Sequence, residues 1–227
     1  AFAKINKFLI DYPIALKEFE SLLNRNRIFI DRTAGVAQVS QEDALSYGWT
    51  GPLLRATGVD YDVRVSEPYS SYQDFDFEVP VGTSGDIYDR YLVRNEEMWQ
   101  SLSIIKQALE KIKLEPEGVF HADVPAFYLP AKEEVYNNME ALIYHFKIVM
   151  GEIDAPKAEV YHAVEGGNGE LGFYLINDGG RTPYRLHFRR PSFINYSMFA
   201  KMSEGMLLSD AIINMSSMNI IAGELDA

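Results

Sequence analysis

Between Asp86 and about Lys113 the apolar residues Ile87, Tyr91, Met98, Leu102, Ile105, Leu109 and Ile112 recur at spacings of three, four and seven, the period of one face of an α-helix. A stripe that runs the full length of so long a helix needs cover along all of it, so this helix is expected at the centre of the core. The chain has the material to surround it. Of 227 residues, 47% are hydrophobic and 24% charged, the balance of a folded globular protein.

Other elements group around that helix. Asp11 to Asn26 reads as a helix capped by Asp11, with Pro13 in its first turn and Ile14, Leu16, Phe19, Leu22 and Leu23 on its apolar side. Ser40 and Asp43 resemble a capping box opening a short helix that stops near Gly48. The run WTGPLLRATGVDYDVR reads as turns about a brief helix, and SEPYSSYQDFDFEVPVGTSG as a long irregular loop of the functional or interface-forming kind. EPEGVFHADVPAFYLP is a connector broken by prolines. Lys132 to Met150 is a second helix, with Val135, Met139, Leu142, Ile143 and Phe146 buried and Gly151 ending it.

The period then changes to two. Val160, His162 and Val164, then Leu171, Phe173 and Leu175, then Tyr184, Leu186 and Phe188 alternate with other residues, and EGGNGE and NDGGRTP separate them. Three antiparallel strands joined by hairpins are expected over about 158–190; if Tyr184, Leu186 and Phe188 face the core, the basic residues between them line the other face. After Pro191 the pattern is helical again. The expected fold is mainly α with a small antiparallel sheet, in one domain: helical over 1–155, the sheet, then a helical, apolar tail over 191–227. That tail, IINMSSMNIIAGELDA, must bury its apolar residues in the domain or against a partner or hydrophobic ligand. Met206, Met215 and Met218 suit an adaptable pocket or a core equally.

Charge and composition exclude several classes. The formal charge is −12 and the isoelectric point about 4.8, against sequence-independent nucleic-acid binding and free binding to anionic membranes. Cysteine is absent, which removes disulfides, thiolate metal sites and cysteine nucleophiles. No run approaches the ~18 apolar residues of a membrane span. The first residues lack a secretory pattern, and the chain does not begin with Met, so a processed chain or a piece of something longer is expected.

Few residues spell out chemistry. His121, His145, His162 and His187 fall in no metal-binding spacing, and structural roles are expected for them. GGNGELG leads into a strand rather than a helix, so its glycines are expected to serve a hairpin and not a phosphate. No G-x-S-x-G elbow occurs. Asp86 with Arg90, and Arg94 with Glu97, suit either ion pairs on a helix surface or a charged network beneath the VGTSG loop; spacing alone favours the former. Arg185, His187 and Arg189, with Arg181 and Arg190, form a basic exception that suits an acidic partner, lipid headgroups or plain solvent. No catalytic residue and no metal ligand emerges from the residues themselves.

Several motifs together resemble the 49-kDa subunit family of respiratory complex I, the D-type subunits of NADH–quinone oxidoreductases. They are NRIFIDRTAGVA, GPLLRATGVDYDVR followed by PYSSY, FEVPVGTSGDIYDRYLVRNEEMWQSL, YHAVEGGNGELGFYLINDGGRTPYRLHFRRPSF and the terminal GELD. They run in order from about residue 24 to the end and are similar to the C-terminal half of the family. The resemblance implies the fold of the C-terminal half of nickel–iron hydrogenase large subunits, without the thiolate pair that would hold nickel. Family members commonly end in a stretch like D-I-V-F-G-E-V-D-R, whose first Asp, Val and Glu are associated with the quinone site. Those places fall on Asn219, Ile221 and Glu224, with Ala227 in place of the terminal Arg. The hairpin reads EGGNGELG where E-A-P-(K/R)-G-E-(F/L)-G is usual. Asp86, Arg90 and Arg94 match the family pattern as an interface or charge network.

By that resemblance the chain helps form a quinone-reduction site at an interface with the B-type iron–sulfur subunit, with the C-type and other complex I subunits also as partners. NADH is oxidised elsewhere in the assembly, and FMN and the iron–sulfur clusters sit in partner subunits. This chain binds no cofactor of its own; quinone is the substrate. It is expected to be inactive alone and to lie at the cytoplasmic side of the bacterial inner membrane, or the mitochondrial matrix side, attached through its partners. Two rivals are a scaffold domain that kept the fold without quinone chemistry, and a metal-assisted hydrolase using scattered carboxylates.

Overall fold

The computed structural model describes residues 2–114, 128–151 and 155–226. The expected connector, His121 and Ala227 lie wholly or mostly outside them. The chain is mainly α-helical with a small antiparallel sheet. The helices are α1 Phe2–Leu23, α2 Arg27–Thr33, α3 Gln41–Ser46, α4 Gly51–Ala56, α5 Val63–Ser66, α6 Ile87–Leu114, α7 Lys132–Asn137 and α8 Met139–Val149. Strands β1 Ala158–Gly166, β2 Gly169–Asn177 and β3 Arg185–Arg189 follow in the order β1-β2-β3. Then come α9 Pro191–Tyr196, α10 Phe199–Ser203, α11 Leu208–Met218 and α12 Ala222–Asp226.

The chain divides into two compact units. One comprises Ala1–Leu114, Ala163–Gly172 and Arg189–Ala227, the other Glu115–His162 and Phe173–Phe188. The core of the first gathers Ala37, Val39, Ala44, Trp49, Leu53, Leu54, Ile87, Met198, Met202 and Met218. The brief helix in GPLLRA is buried from end to end, and the hairpin tip reaches it backbone to backbone. A Cβ on Gly51 would lie 2.3 Å from the Gly169 Cα, and one on Gly169 2.6 Å from the Thr50 Oγ1. Gly169 also sits at φ +131°, where a side chain is strained. The turn glycines thus serve a close approach as well as a hairpin.

Helix α6 runs as its stripe predicts, but its buried side is mixed. Ile87, Val93, Leu102 and Leu109 are buried together with Arg90 and Asn95, whereas Ile112 is exposed. The irregular loop before it is strapped along its surface: Gln107 bonds the backbone N–H and C=O of Asp76, Gln100 accepts from the Glu78 N–H, and Asp89 accepts from Thr83 and Ser84. Ser40 accepts from the Asp43 N–H at 3.1 Å and opens α3 as the capping pattern predicts.

Three expectations change. Helix α1 begins at Phe2 rather than Asp11 and carries Pro13 in its interior. The helical pattern continues upstream, with Phe8 stacked on Tyr12 and Lys7 paired with Asp11, so the one ladder bond that proline removes does not end the helix. Ile14, Phe19 and Leu22 on this helix are exposed, and Leu16 is its buried residue. The helix expected over Lys132–Met150 is two helices, because Asn138 takes an extended conformation and its side chain caps α8 by accepting from the Glu140 and Ala141 N–H groups. Its expected buried residues Met139, Leu142, Ile143 and Phe146 are all at least half exposed.

In the sheet, Tyr184, Leu186 and Phe188 do not face a core: they are 75%, 47% and 41% exposed. Phe188 instead meets Phe173 edge-on across the strands at 5.5 Å. In the tail, Asn214 and Met218 are buried and Ile213, Ile220 and Met206 pack on the core. Ile212, Met215 and Ile221 remain exposed, so the apolar tail is only half absorbed.

Candidate functional site

The site is built where α6 meets the end of α11. Asp86 precedes α6 and caps it, accepting the Asp89 N–H at 2.8 Å; its other oxygen accepts the Gly35 N–H at 2.7 Å. One turn on, Arg90 is fully buried. Its guanidinium donates to the carbonyls of Ala37 at 2.6 Å and Gly85 at 3.0 Å, and to Asn214 Oδ1 and Ser217 Oγ at 3.1 Å each. It also lies 5.6 Å from the Trp49 ring centroid. Burial, with the like charge of Arg94, pushes Arg90 down to about 9. Four neutral acceptors, with the nearby charge of Asp86, hold the guanidinium in the core.

Arg94, a further turn along, closes the end of α11. It donates to the Ser217 carbonyl at 2.6 Å and reaches the Met218 carbonyl at 3.4 Å, a cation on the negative end of a helix dipole. Asp86, Arg90 and Arg94 thus each bond to backbone or to α11, and none of these bonds pairs Asp86 with either arginine. Glu97, the partner expected for Arg94, pairs with Arg55.

Helix α11 ends at Asn219, in the left-handed conformation at φ 54° and ψ 48°, which asparagine tolerates best after glycine. Its amide donates to Asn168 Oδ1 in the hairpin tip at 2.7 Å. The Asn168 carbonyl accepts from Asn195 at 3.1 Å. Ser192 joins the same cluster: its Oγ accepts from the Ile221 N–H at 3.3 Å, and its N–H donates to Glu224 at 2.9 Å. Asn219, Ile221 and Glu224 thus come together around the hairpin tip and the start of α9, where Glu224 caps a helix end.

Of these three, Asn219 also lines a cleft of about 410 Å³, the size range of small-molecule pockets. Phe19 and Phe29 form one side, Tyr91, Arg94, Asn95 and Met98 another, and Ile213, Ser217 and Asn219 a third. Its walls are aromatic and apolar, yet two lining residues carry buried polar atoms with no partner among the described residues: Arg94 Nε, a donor, and Asn95 Oδ1, an acceptor. Unsatisfied buried groups are rare and costly; both atoms are themselves closed off from solvent, within residues of the cleft wall.

A second cluster escaped the sequence reading. Arg55, 1% exposed, pairs with Asp62, Glu97 and Glu165, and Arg64 forks onto Asp62 with a shortest contact of 2.6 Å. Burial opposes the charge on Arg55, but Glu97, Glu165 and Asp62 outweigh it and hold its pKa above the ordinary value. Asp62 feels the same desolvation, and its bonds with Arg64 and the charge of Arg55 pull it below the ordinary carboxylate value. Glu165 goes the other way: burial, with the neighbouring charge of Asp62, raises it more than Arg55 lowers it. The available signal was an arginine inside the apolar run PLLRA, which a covered helix must neutralise.

The basic set is not one face. Arg185 and His187 are exposed on β3, while Arg189 donates to the carbonyls of Gly48 at 2.9 Å and Glu170 at 2.7 Å. Arg190 lies over Phe193. His145, His162 and His187 lie on α8, β1 and β3. Among the described residues no group of three His, Asp or Glu side chains could hold a metal ion, and no helix is long and apolar enough to cross a membrane.

Fold and site together define a helical α+β protein with an apolar, aromatic cleft beside a buried arginine network. The chain belongs to the respiratory-chain NADH dehydrogenase 49 Kd subunit family, whose model matches residues 1–227. It is 68% identical, over its full length, to the NADH-quinone oxidoreductase D-type subunit 2 of Cytophaga hutchinsonii, of which it covers 58%. It is likewise 68% identical to the D-type subunit of the Flavobacterium psychrophilum enzyme, covering 55% of it. With the D-type subunit of Leptospira biflexa it shares 53% identity over 93% of the chain and 52% of that relative. The chain spans little more than half the length of these curated relatives.

Proposed function

We propose that this chain is part of the D-type, 49-kDa-family subunit of a proton-translocating NADH–quinone oxidoreductase and helps form the quinone-reduction site at the interface with the B-type iron–sulfur subunit. The observation that carries the reading is an apolar, aromatic cleft whose wall includes the cation Arg94 and the amide residues Asn95 and Asn219. A quinone offers carbonyl acceptors on an apolar ring, and its quinol offers hydroxyl donors, so a wall that carries a guanidinium and amides suits both redox forms. Aromatic walls supply stacking area. Family membership and the relatives of the same subunit type support the same reading.

In this reading electrons reach the quinone from NADH through FMN and iron–sulfur clusters held by partner subunits, and the C-type subunit is a further partner. This chain supplies cavity shape and polar groups that position the headgroup, and the buried arginines favour negative charge there. It is not catalytic alone, and it meets the membrane through its partners, on the cytoplasmic side in a bacterium.

The test uses the assembled complex carrying this subunit, purified by a tag from mildly solubilised membranes. Arg94→Gln removes a charged donor from the cleft. It is expected to lower kcat/KM for a short-chain quinone by about tenfold or more, as loss of ~1.5–3 kcal/mol implies, while electron transfer from NADH to an artificial acceptor upstream is retained. An unchanged quinone KM and kcat would refute the reading. A scaffold role is the second reading, favoured by one observation: the Asn219 amide is already engaged by Asn168. A scaffold predicts co-purification with the partner subunits and no quinone effect of Arg94→Gln or Glu224→Gln.

A further inference from the structure

The cage around Arg55 has a feature that its packing role does not require. Asp62, Glu97 and Glu165 contact it, and among the described residues Arg55 and Arg64 are the cations paired with them. Three carboxylates against two guanidiniums leave one negative charge in excess in a site where Asp62 and Glu165 are 0% and 4% exposed. A third guanidinium, Arg94, acts on the cage only at a distance, and a buried charge so weakly compensated is expensive and tends to take up a proton.

Geometry selects which carboxylate takes it. Asp62 receives the Arg64 fork at 2.6–3.2 Å, a contact with Arg55 and the Arg64 N–H at 2.8 Å. Glu97 receives Arg55 through both Nε and Nη2. Glu165 has a single Arg55 bond at 2.9 Å and a long one from the Val63 N–H at 3.3 Å. Glu165 has no more donors than Glu97 and is far less exposed, 4% against 17%, so its ionised form is the least stabilised of the three, and its raised pKa agrees. The other polar groups facing the cage are Tyr69, whose hydroxyl accepts the Glu165 N–H at 2.9 Å, and Tyr61 and Glu170, which bond each other at 3.2 Å.

Arg94 joins this cage to the cleft. It lines the cleft, and its charge acts on both Glu97 and Arg55. Its own hydrogen bonds go to the carbonyls of Ser217 and Met218, so it compensates the cage at a distance without occupying it. A negative group arriving in the cleft would neutralise Arg94 and leave the excess charge of the cage less compensated.

We propose that Glu165 is a buried proton-loading group, carrying an exchangeable proton whose affinity is set by charge in the cleft through Arg94 and Glu97. The step is Glu165–COO⁻ plus a proton from solvent giving Glu165–COOH, with Glu97, the most exposed of the three carboxylates at 17%, on the solvent side. The inference rests on the cleft's geometry and not on what occupies it.

The experiment is pH-difference infrared spectroscopy of the assembled complex without added quinone. A protonated-carboxyl band titrating above the ordinary glutamate range is expected in the native protein, absent from Glu165→Gln and kept in Glu170→Gln. Glu97→Gln, which frees Arg55 for Glu165, is expected to move the midpoint down by about one pH unit, and Arg94→Gln to move it up by a similar amount. These two variants keep the question answerable if Glu165→Gln does not fold. A band indifferent to Glu165→Gln, or a midpoint unmoved by both Glu97→Gln and Arg94→Gln, would overturn the proposal. No quinone takes part, so this failure and a failed quinone assay are separate results.

Discussion

Replacing Arg90 by methionine tests how much its four neutral acceptors contribute to holding a charge in the core. Methionine keeps much of the length and volume of the side chain and removes every donor. Of the four acceptors, two keep other bonds: the Gly85 carbonyl still receives the Val39 N–H at 3.1 Å, and Ser217 Oγ still donates to the Asn214 carbonyl at 2.7 Å. The Ala37 carbonyl and Asn214 Oδ1 lose the guanidinium. Two orphaned buried acceptors at ~1–3 kcal/mol each cost about 4 kcal/mol. Relief from burying a guanidinium offsets on the order of 1 kcal/mol. The net loss is about 3 kcal/mol, which in a domain of this size lowers Tm by about 6–12 °C. Thermal unfolding followed by circular dichroism reads it directly. Adding Asn214→Leu removes one of the orphans, so the double variant is expected to lose about 1 kcal/mol less than the sum of the singles. If Arg90→Met melts within about 2 °C of the parent, desolvation cancels the hydrogen bonds and the network does not tie α6 to α11.

Gly169→Ala sets a Cβ 2.6 Å from Thr50 Oγ1 and 2.9 Å from its backbone, at a positive φ; a loss of about 3 kcal/mol is expected from overpacking and strain together, measured by denaturant midpoint. Asn219→Asp replaces the donor 2.7 Å from Asn168 Oδ1 with a second oxygen and is expected to cost ~1–2 kcal/mol. Adding Asn168→Lys should restore it, with a coupling of at least ~1 kcal/mol in the cycle; additive effects would show that the contact does not matter. Glu165 binds its proton more tightly folded than unfolded, so its contribution is fully present below its ordinary value of 4.5 and fades as pH rises through the raised one. Stability of the native protein relative to Glu165→Gln should therefore fall across that window, and a flat difference would contradict the raised pKa.

What was legible in the chain followed periodicity and turn chemistry. The α6 stripe, the Ser40 cap and the hairpins at the two glycine-rich turns depend on neighbours in sequence, and the structure keeps them. What was not legible depends on tertiary partners. Pro13 reads as a start signal, yet helical spacing on both sides of it carries α1 through. Met139, Leu142 and Phe146 have the spacing of a buried face, but spacing cannot say whether cover exists, and they are exposed. Arg90 and Glu97 look like surface charges at helical intervals. Their fates differ because Arg90 faces α11 and Glu97 faces Arg55, a choice made by elements more than a hundred and about forty residues away. Asn219 was visible only through the family resemblance, and its cleft only once α1, α2, α6 and α11 came together.

The two positions where the resemblance implies other residues, one in the hairpin and one in the tail, touch each other in this chain. Where the resemblance has a basic residue in the hairpin and an aspartate after α11, this chain has Asn168 and Asn219, and their side chains meet at 2.7 Å. A cation and a carboxylate at those places would form an ion pair; two amides form a neutral donor–acceptor pair across the same gap. Changing either alone leaves a mismatch. Aspartate opposite Asn168 would set oxygen against oxygen, and lysine opposite Asn219 would bury a charge with no counterion. Asparagine and aspartate both adopt the left-handed backbone that ends α11, so the exchange leaves the helix terminus intact. The consequence falls on the cleft: Asn219 lines it without a charge, and Arg94 becomes the charged group on its wall. Any response of this site to a charged intermediate is therefore carried by Arg94 and the cage behind it, and Arg94→Gln should remove it where Asn219→Ala does not.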